Sequence, residues 1–291
     1  MPKPSPSPRN VRRESARQTV PRRRNPVIWL LPAFAVVLAA VITAAVVHQQ
    51  HTGAGGALQN GGPLPADMER NLTQIPETVW DGAPVDGGAR LQLAKGAPPA
   101  QKPPVVLYIG SEYCPYCAVL RWPLVAALAR FGTFSGLALS ASSATDAFPN
   151  TPTLTMVHAR YQSPYLTLQT VELQGNVADA SGQYPPLQRL TAGQDALFGR
   201  YDAPRSIPFL IIGGRYIQTE SPFSPGLLAG MDWRAVAASL QLGTTPAAQA
   251  ILDTGNELTA AICAVDGGLP APVCGSAGVR TAAQALPKPA P

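Results

Sequence analysis

Two cysteines with two residues between them, Cys114 and Cys117, are the residues whose types and spacing most directly indicate chemistry in this 291-residue chain. They lie in the segment GSEYCPYCAVL, residues 110–120, which directly follows the apolar run VVLYI at residues 105–109. Two thiols at this spacing can supply half of a zinc site, close a very short disulfide loop, or alternate between dithiol and disulfide. Each use makes a different demand on the rest of the sequence.

The rest of the sequence favours redox exchange over the other two uses. A zinc site needs a second close pair of ligands, whereas Cys263 and Cys274 have ten residues between them, and His158 is the only histidine after residue 60. A structural disulfide gains little from so short a loop, because its stabilisation grows with loop length. We therefore assign no metal to the pair and interpret it as a redox couple.

The predicted boundary between a strand and a helix gives the two thiols different roles. Cys114 would lie at the helix N-terminus, where free backbone N–H groups and the helix dipole favour a thiolate. Cys117, one turn further on, would be more buried and act as the resolving thiol. Glu112 is either a proton relay for the buried thiol or a solvated loop charge. Tyr113 and Tyr116 are expected to form an apolar rim around the sulfurs and to contact substrate.

The elements that must position these thiols follow an α/β pattern. Residues 105–109 form a continuous apolar run, which is typical of a strand buried on both faces. The apolar segment 118–132 predicts a helix that contains Pro123 and ends at Gly132. A hairpin is predicted at residues 205–220, where a Gly-Gly turn separates two apolar runs. Further predicted elements are strands at 134–142, 153–159 and 165–173, and helices at 67–75, around 187–198, at 231–240 and at 245–263.

The N-terminal region predicts a membrane anchor. Residues 27–47 carry no charge and are long enough to cross a bilayer as a helix. The arginines at 22–24 predict that the N-terminus stays in the cytoplasm and that everything after His48 lies outside. A cleaved secretory signal is the alternative, but the segment is longer than a usual signal core and its exit has no good small-residue cleavage site. Either interpretation delivers the remaining chain to an oxidising compartment.

The basic charge of the chain belongs to its N-terminal tail. The net charge is +5, and eight of the 22 Lys and Arg residues lie within residues 1–26. The remaining 14 basic and 16 acidic residues give a net charge of −2, which does not indicate a nucleic-acid-binding domain. The Pro- and Arg-rich tail is expected to be disordered, because it has too little apolar surface to bury.

A buried strand, C-P-Y-C at the start of a proline-containing helix, and an Ile-Pro step before a hairpin together resemble the thioredoxin fold. The resemblance implies that Pro208 is a cis-proline facing the cysteine pair, which the sequence alone would not indicate, because few X-Pro bonds are cis. It also implies that Ile207 presents backbone groups to a bound substrate strand. The Pro-Tyr dipeptide and IPFLIIGGRYI also resemble glutaredoxins, but a long insertion and a membrane anchor distinguish this chain from them.

More narrowly, the segments GSEYCPYCAVLRWPLVAALARFGTFSGL, FPNTPT and IPFLIIGGRYI are similar to a bacterial and archaeal membrane-anchored family catalogued as domain of unknown function 929. The resemblance covers about residues 67–275. Between Cys117 and Pro208 the chain is longer than a minimal thioredoxin requires, which predicts an inserted subdomain at about 143–203. Its FPNTPT and YQSPYLTL segments either line the active-site groove or form an extra hairpin that extends the sheet.

The second cysteine pair, Cys263 and Cys274, lies around a loop rich in glycine and proline. In an oxidising compartment these residues are expected to form a structural disulfide that pins the C-terminal segment to the last helix. In the chain-entropy model such a bond would add about 2–3 kcal/mol of stability. A second redox couple exchanging with Cys114–Cys117 is the alternative, although no predicted helix N-terminus lowers the pKa of either thiol.

These patterns predict a thioredoxin-like α/β domain with an inserted subdomain, preceded by one transmembrane helix. The predicted boundaries are a disordered basic cytoplasmic tail at 1–26, a transmembrane helix at 27–47, a flexible linker at 48–66, the thioredoxin-like domain at 67–245, a C-terminal helix and disulfide-pinned segment at 246–280, and a disordered tail at 281–291.

The expected activity is thiol–disulfide exchange with cysteines of exported proteins. Electrons would pass to or from a redox partner in the membrane, and no bound cofactor is expected. Two other functions remain open. One is a non-catalytic module that captures an extended peptide beside Pro208. The other is a protein that handles a soft metal such as copper through Cys114 and Cys117.

Overall fold

A five-stranded mixed sheet lies at the centre of the structure, a computed structural model that describes residues 60–84, 90–96 and 101–288. In spatial order its strands are β1 (Gln92–Leu93), β9 (Tyr216–Gln218), β8 (Phe209–Ile212), β2 (Val105–Gly110) and β7 (Thr167–Glu172). β2 pairs with β7 in parallel and with β8 in antiparallel orientation, and β9 pairs antiparallel with both β8 and β1. The strand that leads into the cysteines is therefore central in the sheet.

Helices and two small sheets surround this central sheet. The helices are α1 (Ala66–Thr73), α2 (Glu77–Asp81), α3 (Pro115–Ala129), α4 (Ala192–Tyr201), α5 (Trp233–Ser239), α6 (Pro246–Asp266), α7 (Ala271–Cys274) and α8 (Ala277–Ala285), with a 3-10 turn at Pro225–Leu228. The remaining strands form two antiparallel pairs, β3 (Thr133–Ser135) with β6 (Arg160–Gln162), and β4 (Ala138–Ala141) with β5 (Pro152–Thr155). This arrangement confirms the predicted mixed α/β class.

Both faces of β2 are buried, which explains its unbroken apolar sequence. Val106 and Tyr108 belong to the large core that includes α3 and α6. Leu107 and Ile109 alternate with them and face a smaller core, which includes Phe198 of α4. Alternate residues of one strand thus hold helices against opposite faces of the sheet.

The two long helices have clear start signals. Cys114 is the N-cap residue of α3 and Pro115 follows at the first helical position, where proline is favoured. In α6 the N-cap is Thr245, whose side chain accepts a hydrogen bond from the backbone N–H of Ala248. Gly255 inside α6 is explained by packing, because a Cβ there would lie 2.7 Å from the ring of Trp80.

Several predicted boundaries differ from the structure. The helix of the cysteines begins after Cys114, as predicted, but it ends at Ala129 and not at Gly132. The predicted strand at 134–142 is two strands, β3 and β4, separated at Gly136, which has a φ of 76° that favours glycine. The helical pattern around 187–198 begins only at Ala192, after Thr191 caps the helix. Local chain geometry decides where these helices and strands begin and end, and the spacing of apolar residues does not reveal that geometry.

The predicted insertion at about 143–203 contributes to the central sheet. Its residues Thr167–Glu172 are strand β7, which lies at the sheet edge beside β2. The next part of the segment, after Glu172, loops back with a backbone hydrogen bond from Leu187 to the carbonyl of Leu173 and then forms α4. The segment therefore supplies one edge strand as well as loops and a helix.

The ends of the described region also correct two expectations. The flexible linker was predicted to reach residue 66, but the N–H of Gly61 already donates to the carbonyl of Leu139. The disordered tail was predicted from residue 281, but α8 continues to Ala285 and buries Ala282. The described residues belong to one compact unit, so α6 and α8 are part of the same body as the sheet.

Among the described residues, none of the helices is both long enough and apolar enough to cross a membrane. The transmembrane helix predicted at 27–47, the tail at 1–26 and the linker at 48–59 lie outside these residues.

Candidate functional site

The site is built where β2 ends and α3 begins. Cys114, the N-cap residue, and Cys117, in the first turn, are both free thiols. The backbone N–H of Cys117 donates to the sulfur of Cys114 at 3.3 Å, as an N-cap side chain accepts from the first turn. Cys114 is 5% exposed and Cys117 is fully buried. The sulfur nearer to solvent is therefore the one that accepts hydrogen bonds from the helix start.

The surroundings shift the pKa values of the two thiols in opposite directions. Hydrogen bonds from the Cys117 side chain and backbone lower the pKa of Cys114 despite its burial, and the charge of Arg121 also lowers it. Burial raises the pKa of Cys117 well above its ordinary value, and its hydrogen bond to Cys114 raises it further. This arrangement favours ionisation of Cys114 before that of Cys117 as the pH rises.

The predicted substrate-contacting step, Ile207-Pro208, lies against this pair. Ile109 at the end of β2 is in register with Phe209 at the start of β8, so residues 207 and 208 lie beside the start of α3. The sulfur of Cys114 is 4.0 Å from the carbonyl oxygen of Ile207, and the Ile207–Pro208 peptide bond is cis. The structure thus places Cys114, Ile207 and Pro208 together.

A buried ion pair lies behind the cysteines. Arg121, on α3, donates to both carboxylate oxygens of Glu172, at 2.8 and 2.7 Å, and to the carbonyl of Ser111 at 2.9 Å. Neither side chain of the pair has any solvent exposure. Glu112 joins the same cluster, since one of its oxygens is 3.9 Å from Arg121 and the other accepts a hydrogen bond from Ser140. The predicted loop charge at 112 is thus a buried carboxylate.

Four buried polar atoms of this region have no hydrogen-bond partner. They are the Tyr108 hydroxyl, the Ser111 hydroxyl, Glu112 Oε1 and Arg121 Nη1. Burial raises the pKa of Glu172 to about 7, although the charge of Arg121 acts to lower it. The charges of Arg121 and Glu172 in turn act on Cys117. The resolving thiol is therefore influenced by one carboxyl group, that of Glu172, whose protonation can change near neutral pH.

Gly110 allows the Cys117 sulfur and the Tyr108 hydroxyl to approach each other. A Cβ at position 110 would collide with the Tyr108 hydroxyl and would lie 3.2 Å from the sulfur of Cys117. Both groups thus occupy the space that any other residue would fill with a side chain. Because Gly110 is the last residue of β2, the absence of a side chain at the strand end leaves room for both groups.

Aromatic rings line the outer side of the cysteine pair. Tyr113 stacks on Tyr184 with ring centroids 4.2 Å apart and an interplanar angle of 5°. Tyr116 meets the edge of Phe148 at 6.0 Å. Tyr184 and Phe148 come from two loops, one after β7 and one between β4 and β5. Tyr113 and Tyr116, predicted to form a rim around the sulfurs, thus each contact one ring from the segment predicted as an insertion.

Sequence reasoning assigned no role to five residues of this site, which are Tyr108, Arg121, Phe148, Glu172 and Tyr184, although Phe148 begins the FPNTPT segment that was expected either to line the groove or to form an extra hairpin. Arg121 carried a usable signal, because a charged residue inside an otherwise apolar helix is rarely buried without a partner. Tyr108 and Glu172 lie in strands, and Phe148 and Tyr184 lie in loops. The folded chain brings these side chains to the cysteines. Trp122, the residue after Arg121, is fully buried, and its indole N–H donates to the carbonyl of Pro152.

The second cysteine pair lies at the other end of the molecule. Cys263 and Cys274 form a disulfide with a Cα–Cα distance of 5.6 Å, which joins the end of α6 to α7. Val265 packs where a Cβ of Gly213 would be, and Gly213 donates to the carbonyl of Val105, the first residue of β2. Cys114, in contrast, follows the last residue of that strand.

A cavity of about 340 Å³ also lies away from the thiols. Its lining includes Val105 and Leu107 of β2, residues of α4, and the Gly213–Gly214 turn, so it lies beside the N-terminal part of β2. Within residues 60–84, 90–96 and 101–288, His, Cys, Asp and Glu do not gather in groups of three or more that could hold a metal ion. The two thiols with their buried charges are the chemically distinctive site in this part of the chain.

Comparison with known proteins gives a family without an assigned activity. The model of a domain of unknown function, DUF929, matches residues 97–264, which include both thiols of the site, Pro208 and the rings of the outer surface. Among curated proteins and solved structures, none matches this chain. Since the match spans more than half of the 291 residues, the chain belongs to the DUF929 family.

Proposed function

We propose that this protein is a membrane-anchored, extracytoplasmic thiol–disulfide oxidoreductase with a thioredoxin-like fold. The observation that carries the proposal is the contrast between two adjacent thiols. Cys114 accepts a hydrogen bond at the start of α3 and has a lowered pKa, whereas the pKa of Cys117 is raised by burial. A dithiol that combines a stabilised thiolate with a buried partner is suited to exchange.

The thioredoxin-like assignment rests on three features together. The C-P-Y-C segment starts a helix directly after a central strand, and that helix packs in the large core on one face of the mixed sheet. The residue before β8 is Pro208, and the carbonyl of Ile207 faces Cys114. The resemblance of the sequence to thioredoxins implies this same juxtaposition of proline and cysteine pair.

In the first step of the proposed reaction, the Cys114 thiolate attacks one sulfur of a substrate disulfide. The new bond is a mixed disulfide between Cys114 and substrate, and the other substrate sulfur leaves as a thiolate. The amide of Cys117 stabilises the attacking thiolate through its 3.3 Å hydrogen bond. A substrate strand lying along Ile207 would bring its disulfide to Cys114, because the Ile207 carbonyl is 4.0 Å from that sulfur.

In the second step Cys117 loses its proton and attacks the sulfur of Cys114. The mixed disulfide breaks, the reduced substrate leaves, and Cys114 and Cys117 form a disulfide, so that two electrons have passed from the protein to the substrate. The reverse sequence oxidises a substrate dithiol. Glu172 supports the proton transfer, since a carboxyl group with a pKa of about 7 can accept or release a proton near neutral pH. Glu112 belongs to the same buried cluster.

The proposed substrates are cysteines of exported proteins, and the proposed electron partner is a redox protein of the membrane. Support comes from the uncharged segment at 27–47, which would hold the described domain outside the cytoplasm. The disulfide between Cys263 and Cys274 is consistent with an oxidising compartment. The direction of electron flow depends on the reduction potential of the Cys114–Cys117 pair.

Titration of the two thiols tests the proposal directly. Ultraviolet absorbance of the thiolate against pH should show Cys114 ionising below the value of about 8.5 that is ordinary for a free cysteine. Equilibration in glutathione buffers should then give one two-electron potential for the pair, which identifies an oxidant or a reductant. If Cys114 ionises like a free cysteine and no disulfide forms between residues 114 and 117, the proposal is wrong.

The same protein preparation separates the two other functions. A peptide-binding module would bind its partner equally well after Cys114→Ser, whereas an oxidoreductase loses exchange. A soft-metal handler would take up Cu(I) through the reduced pair with a stoichiometry that metal analysis measures. A redox enzyme shows exchange in the presence of a chelator that removes such ions.

A further inference from the structure

Two loops outside the C-P-Y-C segment carry rings to the edge of the thiol site. We infer that Tyr113, Tyr116, Phe148 and Tyr184, here called the aromatic wall, select polypeptide disulfides flanked by aromatic residues over glutathione disulfide. This inference rests on the proposed function and assigns its substrate class. Phe148 and Tyr184 are the new specificity residues.

The Tyr184 half of the aromatic wall is held rigidly. Its ring stacks face to face on Tyr113 at 4.2 Å, and its hydroxyl donates to Ser143 at 2.8 Å. The backbone N–H of Ser143 in turn donates to the carbonyl of Tyr113 at 2.9 Å. These three contacts connect Tyr113, Ser143 and Tyr184 to one another, so both loops are attached to the residue before Cys114. A surface that is already ordered loses little entropy when it binds.

The Phe148 half is fixed by its backbone. Its carbonyl accepts hydrogen bonds from the side chains of Ser142 and Thr151, each at 2.9 Å. The ring then meets the edge of Tyr116, and a Cβ at Gly226 would lie in contact with it at 3.6 Å. The loop between β4 and β5 therefore presents Phe148 at a defined place beside the cysteines.

The aromatic wall continues into exposed apolar surface. Tyr116 is 41% exposed, and Leu227, next to Gly226, is 39% exposed. Large apolar side chains with this exposure, grouped beside a reactive sulfur, provide contact area for apolar side chains of a partner. Aromatic pairs at such distances contribute beyond the area that they bury, which favours aromatic residues in the partner.

The charges around the site argue against glutathione. Glutathione presents two carboxylates, whose recognition calls for cationic side chains. In the segments that surround Cys114, residues 111–117, 143–150, 182–186, 203–208 and 223–227, the one cationic residue is Arg205. It pairs with Asp195 at 2.5 Å. The same segments contain the rings of the aromatic wall, so apolar contact outweighs anion binding.

Paired peptide disulfides test the inference. The full-length protein is assayed with two synthetic peptides that differ only in the residue before the reacting cysteine, tryptophan in one and serine in the other, and with glutathione disulfide. The wild type should show a KM about tenfold lower for the tryptophan peptide, because one aromatic contact contributes on the order of the energy of a tenfold change. Phe148→Ala and Tyr184→Ala should each reduce this preference to about twofold.

Two further variants separate specificity from folding. Tyr184→Phe keeps the stacked ring and should keep most of the preference, although it loses the bond to Ser143. Leu242→Ala removes an exposed apolar residue of a different surface, 74% exposed, and should leave the preference unchanged. Equal KM values for the two wild-type peptides, or faster exchange with glutathione disulfide, overturn the inference while the proposed function stands.

A binding measurement without thiol exchange tests the case in which the proposed function is wrong but the aromatic wall still selects peptides. Both peptides are resynthesised with serine in place of cysteine, labelled, and titrated by fluorescence anisotropy. If the protein exchanges with none of the disulfides but still binds the tryptophan peptide about tenfold more tightly, the proposed function fails and the aromatic wall stands. If neither exchange nor a binding preference is seen, both fail.

Discussion

The two cysteine pairs of this protein lie in very different surroundings. Cys114 and Cys117 are free thiols at the start of a buried helix, and their pKa values move in opposite directions. Cys263 and Cys274 form a disulfide that joins the end of α6 to the short helix α7. The comparison teaches that backbone position decides which pair has a thiol with a lowered pKa, the property on which the proposed exchange activity depends.

The charges near the pairs differ as well. A buried arginine–glutamate pair and the carboxylate of Glu112 lie behind Cys114 and Cys117. The second pair is partly exposed and packs against the large core. Fully buried charge is costly unless it is paired, so the arginine–glutamate pair behind the first cysteines points to a role in their chemistry.

The largest expected effect concerns which of the two cysteine pairs carries out exchange. Cys114→Ser should abolish exchange with peptide disulfides, because serine cannot form the mixed disulfide. Cys117→Ala should accumulate that mixed disulfide, which gel electrophoresis without reductant detects. The double variant Cys263→Ser, Cys274→Ser should keep exchange within about twofold, since distant sites act independently. Loss of exchange in this double variant would instead assign redox exchange to the second pair.

The next effect concerns the charges behind the first pair. Arg121→Met should lower the free energy of unfolding by about 3–5 kcal/mol, because it leaves Glu172 buried without its partner. The double variant Arg121→Met, Glu172→Leu removes both charges and should recover most of that loss. Urea unfolding measures both. Equal destabilisation of the single and double variants would mean that packing, and not the charge pair, explains the loss.

Removal of the cross-link should have a smaller effect, confined to stability. The Cys263→Ser, Cys274→Ser variant should unfold with about 2–3 kcal/mol less free energy, because the bond closes a loop with a sequence separation of 11. The matched variant Cys114→Ser, Cys117→Ser should not show this decrease when the reference is wild type with the first pair as free thiols and the Cys263–Cys274 disulfide intact, because no cross-link is then lost. A similar decrease in both variants would remove the distinction between the pairs.

The sequence predicts one half of this comparison better than the other. The strand of residues 105–109 and the thiols after it follow from an apolar run and a two-residue spacing, and both signals are local. Glu172 and Tyr184 could not be assigned, because each lies far along the chain and meets the site only through the pairing of β7 with β2 or through a loop. Glu112 was readable as a carboxylate near the thiols, but its burial depends on Ser140 in β4.

Predicted helix and strand ends failed for the same reason. The helix of the cysteines was expected to stop at Gly132, a good helix terminator, yet it ends at Ala129. Gly132 serves a different purpose, because a Cβ there would collide with the carbonyl of Gln162 and crowd Ser163. A glycine that ends a helix and a glycine that admits a neighbouring strand look alike in the sequence, and only the fold distinguishes them.

The last expected effect, spread over more than two pH units, is a dependence of stability on pH that comes from Glu172, behind the first pair. Burial raises the pKa of Glu172 from 4.5 to about 7, so between these values the folded protein holds a proton that the unfolded chain has lost. Stability therefore falls as pH rises through this window and levels off above it. The fall is at most about 3.5 kcal/mol, since the shift spans about 2.5 pKa units and one unit corresponds to roughly 1.4 kcal/mol.

Glu172→Gln isolates this effect, because glutamine is neutral at every pH. Urea unfolding at pH values below and above the window should show a larger loss of stability in the wild type than in the variant, whatever their absolute stabilities. Glu112→Gln is the matched control, since it removes a neighbouring carboxylate that bonds to Ser140 and keeps Glu172. If the wild type and Glu172→Gln lose equal stability, Glu172 is ionised throughout by Arg121 and cannot exchange a proton with Cys117 near neutral pH.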